Sequence, residues 1–425
     1  MIRVLVFPAE GVNATEVHDA LSSCVNIEVW GASSVSRHGS YVFENYRCAL
    51  PGINDVSFYD EFANLVSELS IDVVIPTHDT VVYEFAKNKE SIPAKVHVPS
   101  FETARASRKK SVTYKLFSDC SFLPKIYFSA EENVNFPVFA KPDEGQGSKG
   151  ARIIRTKDEL LEVDFSSNVV AEYLPGEEYT VDCFTDRYGK LRCALPRRRA
   201  RIENGISARA ETLPSTKEFT EIAKEINERT EFCGMWFFQV RRDSAGNLKL
   251  MEISARCAGT MCATRAKGYN LPLLSVYSLM GYDVDVIDNG YEVVVDREIT
   301  SCYDPLFEVK KLYLDYDDTL IMGKEVNLQA ISLLYQCHNK GVPVVLLTRH
   351  EGDLAQSLAE HGISRALFEE VVHLGIEQKK ASFIDVDPGT IFIDNAYAER
   401  AEVHKKLGIV VLDVSEIPIL FDIRR

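Results

Sequence analysis

Lys-Lys-Leu-Tyr-Leu-Asp-Tyr-Asp-Asp-Thr-Leu, residues 310–320, is a short apolar strand that delivers Asp315, Asp317 and Thr319 into a turn. Two carboxylates two residues apart at a strand end repel one another, and the repulsion raises one pKa. A divalent cation relieves that cost, leaving Asp315 placed to attack phosphorus and Asp317 placed to move a proton. Upstream of this stretch lie some 300 residues with a separate set of ATP-handling features. The turn therefore reads as one of two phosphate-handling sites on a single chain.

Composition narrows the classes. A chain of 425 residues exceeds one ordinary core and implies two or three domains. Apolar content of 46% with 26% charged residues fits a folded protein, and no apolar run is long enough to span a membrane. The N-terminal Met-Ile-Arg-Val-Leu-Val-Phe-Pro-Ala reads as a first strand, since it lacks the h-region and cleavage site of a signal peptide. The net charge of −15 argues against a nucleic-acid partner, because such binding rests on Lys and Arg over phosphates. Ten cysteines without a C-x-x-C pair point away from zinc and toward reduced thiols, hence a cytoplasmic location.

Residues 1–105 alternate strands (Arg3–Phe7, Ile27–Ala32, Asp72–Pro76) with helical stretches such as Ala14–Ser22, a pattern that favours a parallel sheet. His78 and Asp79 follow the last strand, where such sheets place ligands. The competing expectation is that Thr77 and Asp79 merely cap a helix starting near Val81. Residues 106–300 change to α+β, with strands at Val138–Lys141, Val169–Tyr173, Tyr179–Thr185 and Leu191–Leu195 and helices at Thr216–Thr230 and Pro272–Met280. Residues 308–425 return to strand–helix alternation, after a linker at Thr300–Phe307.

Within the middle region, Phe-Ala-Lys-Pro-Asp-Glu-Gly-Gln-Gly-Ser-Lys-Gly (139–150) puts Lys141 at a strand end before a glycine-rich loop. Glycines let backbone N–H groups converge on a phosphate, and lysine supplies the charge. The G-K-[ST] of a Walker loop is absent. Phe-Phe-Gln-Val-Arg-Arg (237–242) and Leu-Met-Glu-Ile-Ser-Ala-Arg (250–256) read as adjacent antiparallel strands. Period-two geometry points Glu252, Ser254 and Arg256 to one face, with Gln239 alongside. A carboxylate, neutral oxygen donors and an arginine suit magnesium and a triphosphate. The basic cluster Leu-Pro-Arg-Arg-Arg-Ala-Arg-Ile-Glu-Asn-Gly-Ile-Ser-Ala-Arg (195–209) is either solvated surface or, through Arg199 or Arg201, a fork for a substrate carboxylate or phosphate.

On these motifs residues 1–300 resemble the ATP-grasp superfamily, in particular its carboxylate–amine ligases and carbamoyl-phosphate-synthase-like members. The resemblance implies a nucleotide-fold (pre-ATP-grasp) domain over 1–105 and an ATP-grasp domain over 106–300. It implies that Lys110 and Lys141 contact phosphates, and that the loop carrying Gly145, Gly147, Ser148 and Gly150 closes over ATP. Glu172 and Leu174 would form the adenine hinge, and Glu178 would contact ribose. Gln239, Glu252 and Ser254 would hold magnesium (or manganese), with Arg256 at the transferred phosphoryl group. The family usually has Asn where this chain has Ser254, which implies altered metal affinity.

Three features extend the Asp315–Thr319 turn. Val-Val-Leu-Leu-Thr-Arg (344–349) ends in Thr348, a hydroxyl able to hold a phosphate oxygen; Lys379 and Lys380 offer a cation; Thr-Ile-Phe-Ile-Asp-Asn (390–395) ends in Asp394. Acid, hydroxyl, cation and acid in that order resemble the haloacid-dehalogenase (HAD) superfamily over residues 308–425. The resemblance implies a Rossmann-like domain in which Asp315 is the nucleophile and Asp317 the general acid/base. Thr348 and either Lys379 or Lys380 would bind phosphate, and Asp394 with Asp315 and the Asp317 carbonyl would hold magnesium. Only 28 residues separate Thr319 from Thr348 and 30 separate Thr348 from Lys379, too few for a large cap domain.

The sequence thus implies an α/β and α+β multidomain enzyme. It would couple a small-molecule carboxylate to an amine at the expense of ATP and hydrolyse a phosphoester at a second site. A homodimer is compatible with it. The reading from a different class is an ATP-binding regulatory scaffold in which Ser254 and Asn395, the latter where many HAD members carry a second acid, mark decayed catalysis.

Overall fold

The computed structural model describes every residue of the chain apart from 146–148, 204, 423 and 425. The chain divides into two units, Met1–Ile299 and Thr300–Ile423.

The first unit begins with a five-stranded parallel sheet in the spatial order Asn45–Arg47, Ile27–Ala32, Ile2–Phe7, Val73–Pro76, Lys95–Val96. Val4, Leu5 and Val6 on one central strand and Val73, Val74 and Ile75 on the next are fully buried. Such uninterrupted apolar runs are what a strand covered by helices on both faces requires. The chain order reverses between these two strands, which opens a crevice at their carboxyl ends. The crevice is pinned: the Thr77 hydroxyl donates to the Pro8 carbonyl (2.6 Å), and the Asn13 amide donates to the Thr77 carbonyl (3.2 Å). Thr77 is therefore a fastening and not the expected cap. The helix Asp79–Lys87 is capped by His78, whose Nδ1 accepts from the Thr80 N–H at 3.2 Å.

Two antiparallel sheets follow. The smaller runs Ile126–Tyr127, Asn168–Glu172, Val138–Pro142, Arg152–Ile154. The larger runs Leu248–Ser254, Gly234–Arg242, Glu178–Thr185, Leu191–Glu203, Ile206–Thr212, Val294–Asp296. Strand Gly234–Arg242 packs on both faces by simple alternation. Trp236, Phe238 and Val240 join one core with Phe219, Ile222 and Ile226 of the helix Lys217–Glu228, while Met235 and Phe237 join another with Leu271 and Val276. The same alternation leaves Gln239 opposite both Thr180 and Glu252. The strand read from sequence as Leu191–Leu195 continues to Glu203, so the basic cluster is sheet and not a connecting segment.

Trp236 is the anchor of this packing. It is fully buried, stacks on Phe232 with ring centroids 4.3 Å apart, and donates its indole N–H to Thr185 at 2.8 Å. Trp236→Ala is expected to cost about 3–5 kcal/mol, the range for deleting a large buried aromatic. Urea unfolding followed by circular dichroism measures it, and a loss below about 1 kcal/mol, the size of a surface effect, would show that the site collapses around the deletion.

The second unit is a five-stranded parallel sheet in the order Glu370–His373, Val344–Thr348, Lys311–Leu314, Thr390–Ile393, Val410–Leu412. Its order also reverses at the centre, so Asp315 and Asp394 follow directly on two neighbouring strands. Between Thr319 and Thr348 the chain makes only the hairpin Ile321–Met322/Glu325–Val326 and the helix Leu328–Lys340. That helix starts where the Asn327 side chain accepts from the Gln329 N–H (3.1 Å) and stops at Gly341, whose φ of 68° is left-handed. Among the described residues no helix is long and apolar enough to cross a membrane.

Candidate active sites

In the first unit, two adjoining cavities of about 270 Å³ and 150 Å³ share Lys110, Gly145, Arg199, Gln239 and Glu252 as walls. The smaller adds Lys141, Lys149, Glu178, Arg241 and Met251; the larger adds His78, Asp79, Arg197, Ser254 and Arg256. Lys141 leaves the end of its strand, passes over the Tyr114 ring (5.3 Å) and donates to the Met251 carbonyl at 2.9 Å. Burial pulls its pKa down to about 8, against the opposing charges of Glu252 and Glu178. Burial, then the neighbouring charge of Lys141, lowers Lys110 as well. Burial holds two ammonium groups below their ordinary range, and a polyphosphate bound beside them would favour their charged forms.

Ser254 and Arg256 meet Asp79 from the parallel sheet. Arg256 donates Nε and Nη2 to the two Asp79 oxygens (3.0 and 2.8 Å), and the Ser254 hydroxyl donates to Asp79 at 2.7 Å. Burial alone would raise the Asp79 carboxyl, but Arg256 and Ser254 override it and hold it at about 2. Asp79 is thus a permanent anion that fixes the Arg256 guanidinium in place.

The basic cluster separates residue by residue. Arg199 lies in both cavities, with Nη1 on Glu178 and on Gln239 Oε1 (3.3 Å) and Nη2 on the Gly205 carbonyl (2.9 Å). Arg201 does not join it. The strand register slips between Arg199 and Arg201, and a slip of one residue turns a side chain to the other face. Arg201 instead pairs with Glu203 (2.9 Å) and Asp296 and is half exposed. The residue that replaces it is Arg197, buried at the floor of the larger cavity with Nε on Asp182 at 2.7 Å. Period two from Arg199 backward would have named it.

Glu172 accepts the Lys125 N–H at 3.0 Å, and neither it nor Leu174 lines these cavities. Gly150 is not on their walls either, and Gly147 and Ser148 lie outside the described residues. Among the described residues no three His, Cys, Asp or Glu side chains gather into a metal cage. Glu252 nonetheless accepts no hydrogen bond from any described residue and faces both cavities. One free carboxylate with Gln239 beside it fits magnesium, which keeps most of its oxygens from water and phosphates.

In the second unit, Asp315 and Asp394 are almost fully buried and share one cation. Lys380 Nζ stands 2.7 Å from Asp315 Oδ1 and 2.6 Å from Asp394 Oδ2. The sequence left Lys379 and Lys380 open. Lys379 is exposed and pairs with Glu402 (3.3 Å), whereas the 3-10 turn Lys380–Ser382 carries Lys380 inward. Burial, reinforced by Asp394, pushes the Asp315 carboxyl up to about 6 despite Lys380. The Thr348 hydroxyl is buried with no hydrogen-bond partner among the described residues, as an oxygen reserved for an anion would be. Thr319 ties the turn to the neighbouring strand by accepting the Asn395 N–H at 3.0 Å. Asp317 is half exposed, and both its oxygens lie against His350 Nδ1 (2.9 and 3.1 Å), a residue that sequence reasoning missed. Asp315, Asp394 and the Asp317 carbonyl give oxygen donors suited to magnesium.

Comparison with known proteins bears on the first unit. Residues 164–300 match the family model described as "ATP-grasp in the biosynthetic pathway with Ter operon". A D-alanine–D-alanine ligase of Bacillus anthracis is 31% identical over 108 residues, covering 24% of this chain and 34% of that protein. The chain thus spans about a third of the length of the curated relatives it matches. Among solved structures, a biotin carboxylase complex from Campylobacter jejuni aligns with TM-score 0.57 at 16% identity, over 69% of this chain and 74% of its own. An L-amino acid ligase from Bacillus licheniformis aligns with TM-score 0.52 at 16% identity, over 66% of this chain and 74% of its own. Residues 164–300 are thus similar to an ATP-grasp family, and the first unit shares the fold of these solved structures.

Proposed function

We propose that the first unit is an ATP-dependent ligase that activates a carboxylate as an acyl phosphate and passes it to an amine. The observation that carries this is the pair of adjoining cavities with Glu252 on their common wall. The smaller holds Lys110 and Lys141 for the triphosphate; the larger holds Arg256 and Arg197 for the acceptor. Glu252 and Gln239 are the residues that would hold magnesium, which when bound neutralises developing charge on the phosphates. A carboxylate oxygen attacks the γ-phosphorus and the bond to ADP breaks. Lys141, Lys110 and Arg256 hold the phosphoryl oxygens through that step. The amine then attacks the acyl carbon and phosphate leaves. ADP release screened over paired carboxylates and amines, with amino acids as the first set, tests the reading. ADP release that no pair stimulates would sink it.

Lys141 provides an independent check. In the free protein it loses its proton above about pH 8, whereas a bound triphosphate favours the charged form. ATP binding should therefore take up a proton above that pH, and affinity should fall by up to about tenfold per pH unit. Calorimetry in buffers of different ionisation enthalpy reads both effects. A Lys141→Met variant should bind weakly with a shallower profile, to which Lys110 alone contributes. An equally shallow profile in the unaltered chain between about pH 7 and about pH 9.5, a window around the lowered lysine value and below the ordinary one, would remove Lys141 from the phosphate contact.

A second activity is favoured by Lys380 between Asp315 and Asp394 and by the unpartnered Thr348 hydroxyl. The second unit is read as a HAD-type phosphomonoesterase. Asp315 attacks phosphorus, the ester P–O bond breaks, and Asp317 gives its proton to the departing oxygen. Asp317 then takes a proton from water, which attacks the phosphorus and returns Asp315 as a carboxylate. Lys380 and Thr348 hold the phosphoryl oxygens. Asp315, Asp394 and the Asp317 carbonyl would hold magnesium, which would supply charge neutralisation when bound.

A further inference from the structure

We propose that His350 is a positioning residue for proton delivery by Asp317, which fits the second unit to alkyl phosphomonoesters. This rests on the phosphatase reading just given. An ester whose leaving group is stable as an anion, such as an aryl or acyl phosphate, departs without a proton. A simple alcohol does not, and for it the acid must stand in place when the bond breaks.

Asp317 is poorly held by anything else. Its side chain is 51% exposed, whereas Asp315 is 8% exposed and clamped by Lys380. An exposed carboxylate samples several rotamers, and fixing one costs entropy. His350 removes that freedom. Its Nδ1 reaches both carboxylate oxygens, at 2.9 and 3.1 Å. An ionised carboxylate only accepts, so Nδ1 carries the hydrogen.

The imidazole is itself fixed from two sides. Its ring stands edge-on to Tyr316, with centroids 5.1 Å apart and planes at 80°, and the Tyr316 hydroxyl meets Ser357 at 2.8 Å. Its backbone carbonyl lies 2.7 Å from His373 Nε2. His350 also sits two residues beyond Thr348, so the strand that holds the phosphoryl oxygen also places the acid's partner. Mere packing would not need a ring nitrogen bridging two oxygens of the most exposed acid in the site.

The test compares kcat/KM for glycerol 3-phosphate and p-nitrophenyl phosphate in the full chain with magnesium. This parameter ends at leaving-group departure and is blind to the later hydrolysis of the phosphoenzyme. His350→Ala should lower the alkyl value by about 10²-fold, the scale of a lost or misplaced general acid, and the aryl value far less. His350→Asn, whose amide nitrogen takes the place of Nδ1, should restore most of the loss. In an Asp317→Ala background, His350→Ala should cost nothing further. Equal losses on the two esters, or a full further loss in that background, would overturn the role of His350. No phosphate release by the unaltered chain from either ester would instead overturn the phosphatase reading beneath it.

Discussion

Asp315→Asn should abolish phosphate release by the second unit, by at least about 10³-fold, the scale on which removing a covalent nucleophile acts. The substitution keeps the size of the side chain and the oxygen that faces Lys380. It removes the charge and the second nucleophilic oxygen. Burial and Asp394 hold the Asp315 carboxyl near 6, so replacing it with a neutral amide should not destabilise the unit and should relieve repulsion from Asp394. A folded, inactive protein is therefore expected. Phosphate release from p-nitrophenyl phosphate measures activity, and thermal unfolding checks the fold. Retained turnover would mean that some other group attacks phosphorus, and the aspartyl-phosphate chemistry would fall. Lys380→Met should behave differently. It strands two nearly buried carboxylates 2.7 and 2.6 Å from a vanished cation, so stability falls along with activity, by about 3–5 kcal/mol if neither acid takes up a proton.

The contrast between the sites explains what the sequence could disclose. Strand ends were legible because each apolar run stops at a polar residue: Leu314 at Asp315, Leu347 at Thr348, Ile393 at Asp394. Period-two alternation placed Glu252, Ser254 and Gln239 on one wall because the pairing of 237–239 with 252–254 is regular, the register slipping only beyond Gln239. It failed at Arg201, where the register slip between Arg199 and Arg201 is a backbone event with no side-chain signature. Neighbours in a turn are equally opaque. Lys379 and Lys380 have the same chemistry, and only the 3-10 turn decides which one is buried. Asp79 as the partner of Arg256 depends on how two sheets meet. His350 escaped notice because its partner Asp317 is 33 residues away and the two join only through the loop after Thr348.

Glu252→Gln should reduce ATP-dependent ADP release by about 10²–10³-fold, the range for losing one group that stabilises charge in transfer. Of the three side chains read as metal-site residues, Glu252 alone is an acid. Gln239 Oε1 already accepts from Arg199, and the Ser254 hydroxyl already donates to Asp79. The chain therefore has little to share the load if Glu252 is neutralised. A site with a second acid would lose less, because the remaining carboxylate would keep the ion. The loss should accordingly be in metal dependence. The magnesium concentration for half-maximal ADP release should rise steeply in Glu252→Gln, while nucleotide binding without metal, carried by Lys110 and Lys141, should change much less. That split separates the role from a structural one. If binding without metal collapses equally, Glu252 acts by holding the lysines, whose charges it faces in the same cavity, and the magnesium assignment moves elsewhere. If Ser254→Asn lowers the magnesium requirement, the hydroxyl position is a ligand site that this chain occupies weakly. If it raises the requirement, the Ser254–Asp79–Arg256 contact is what matters there, and positioning of the arginine takes precedence over metal affinity.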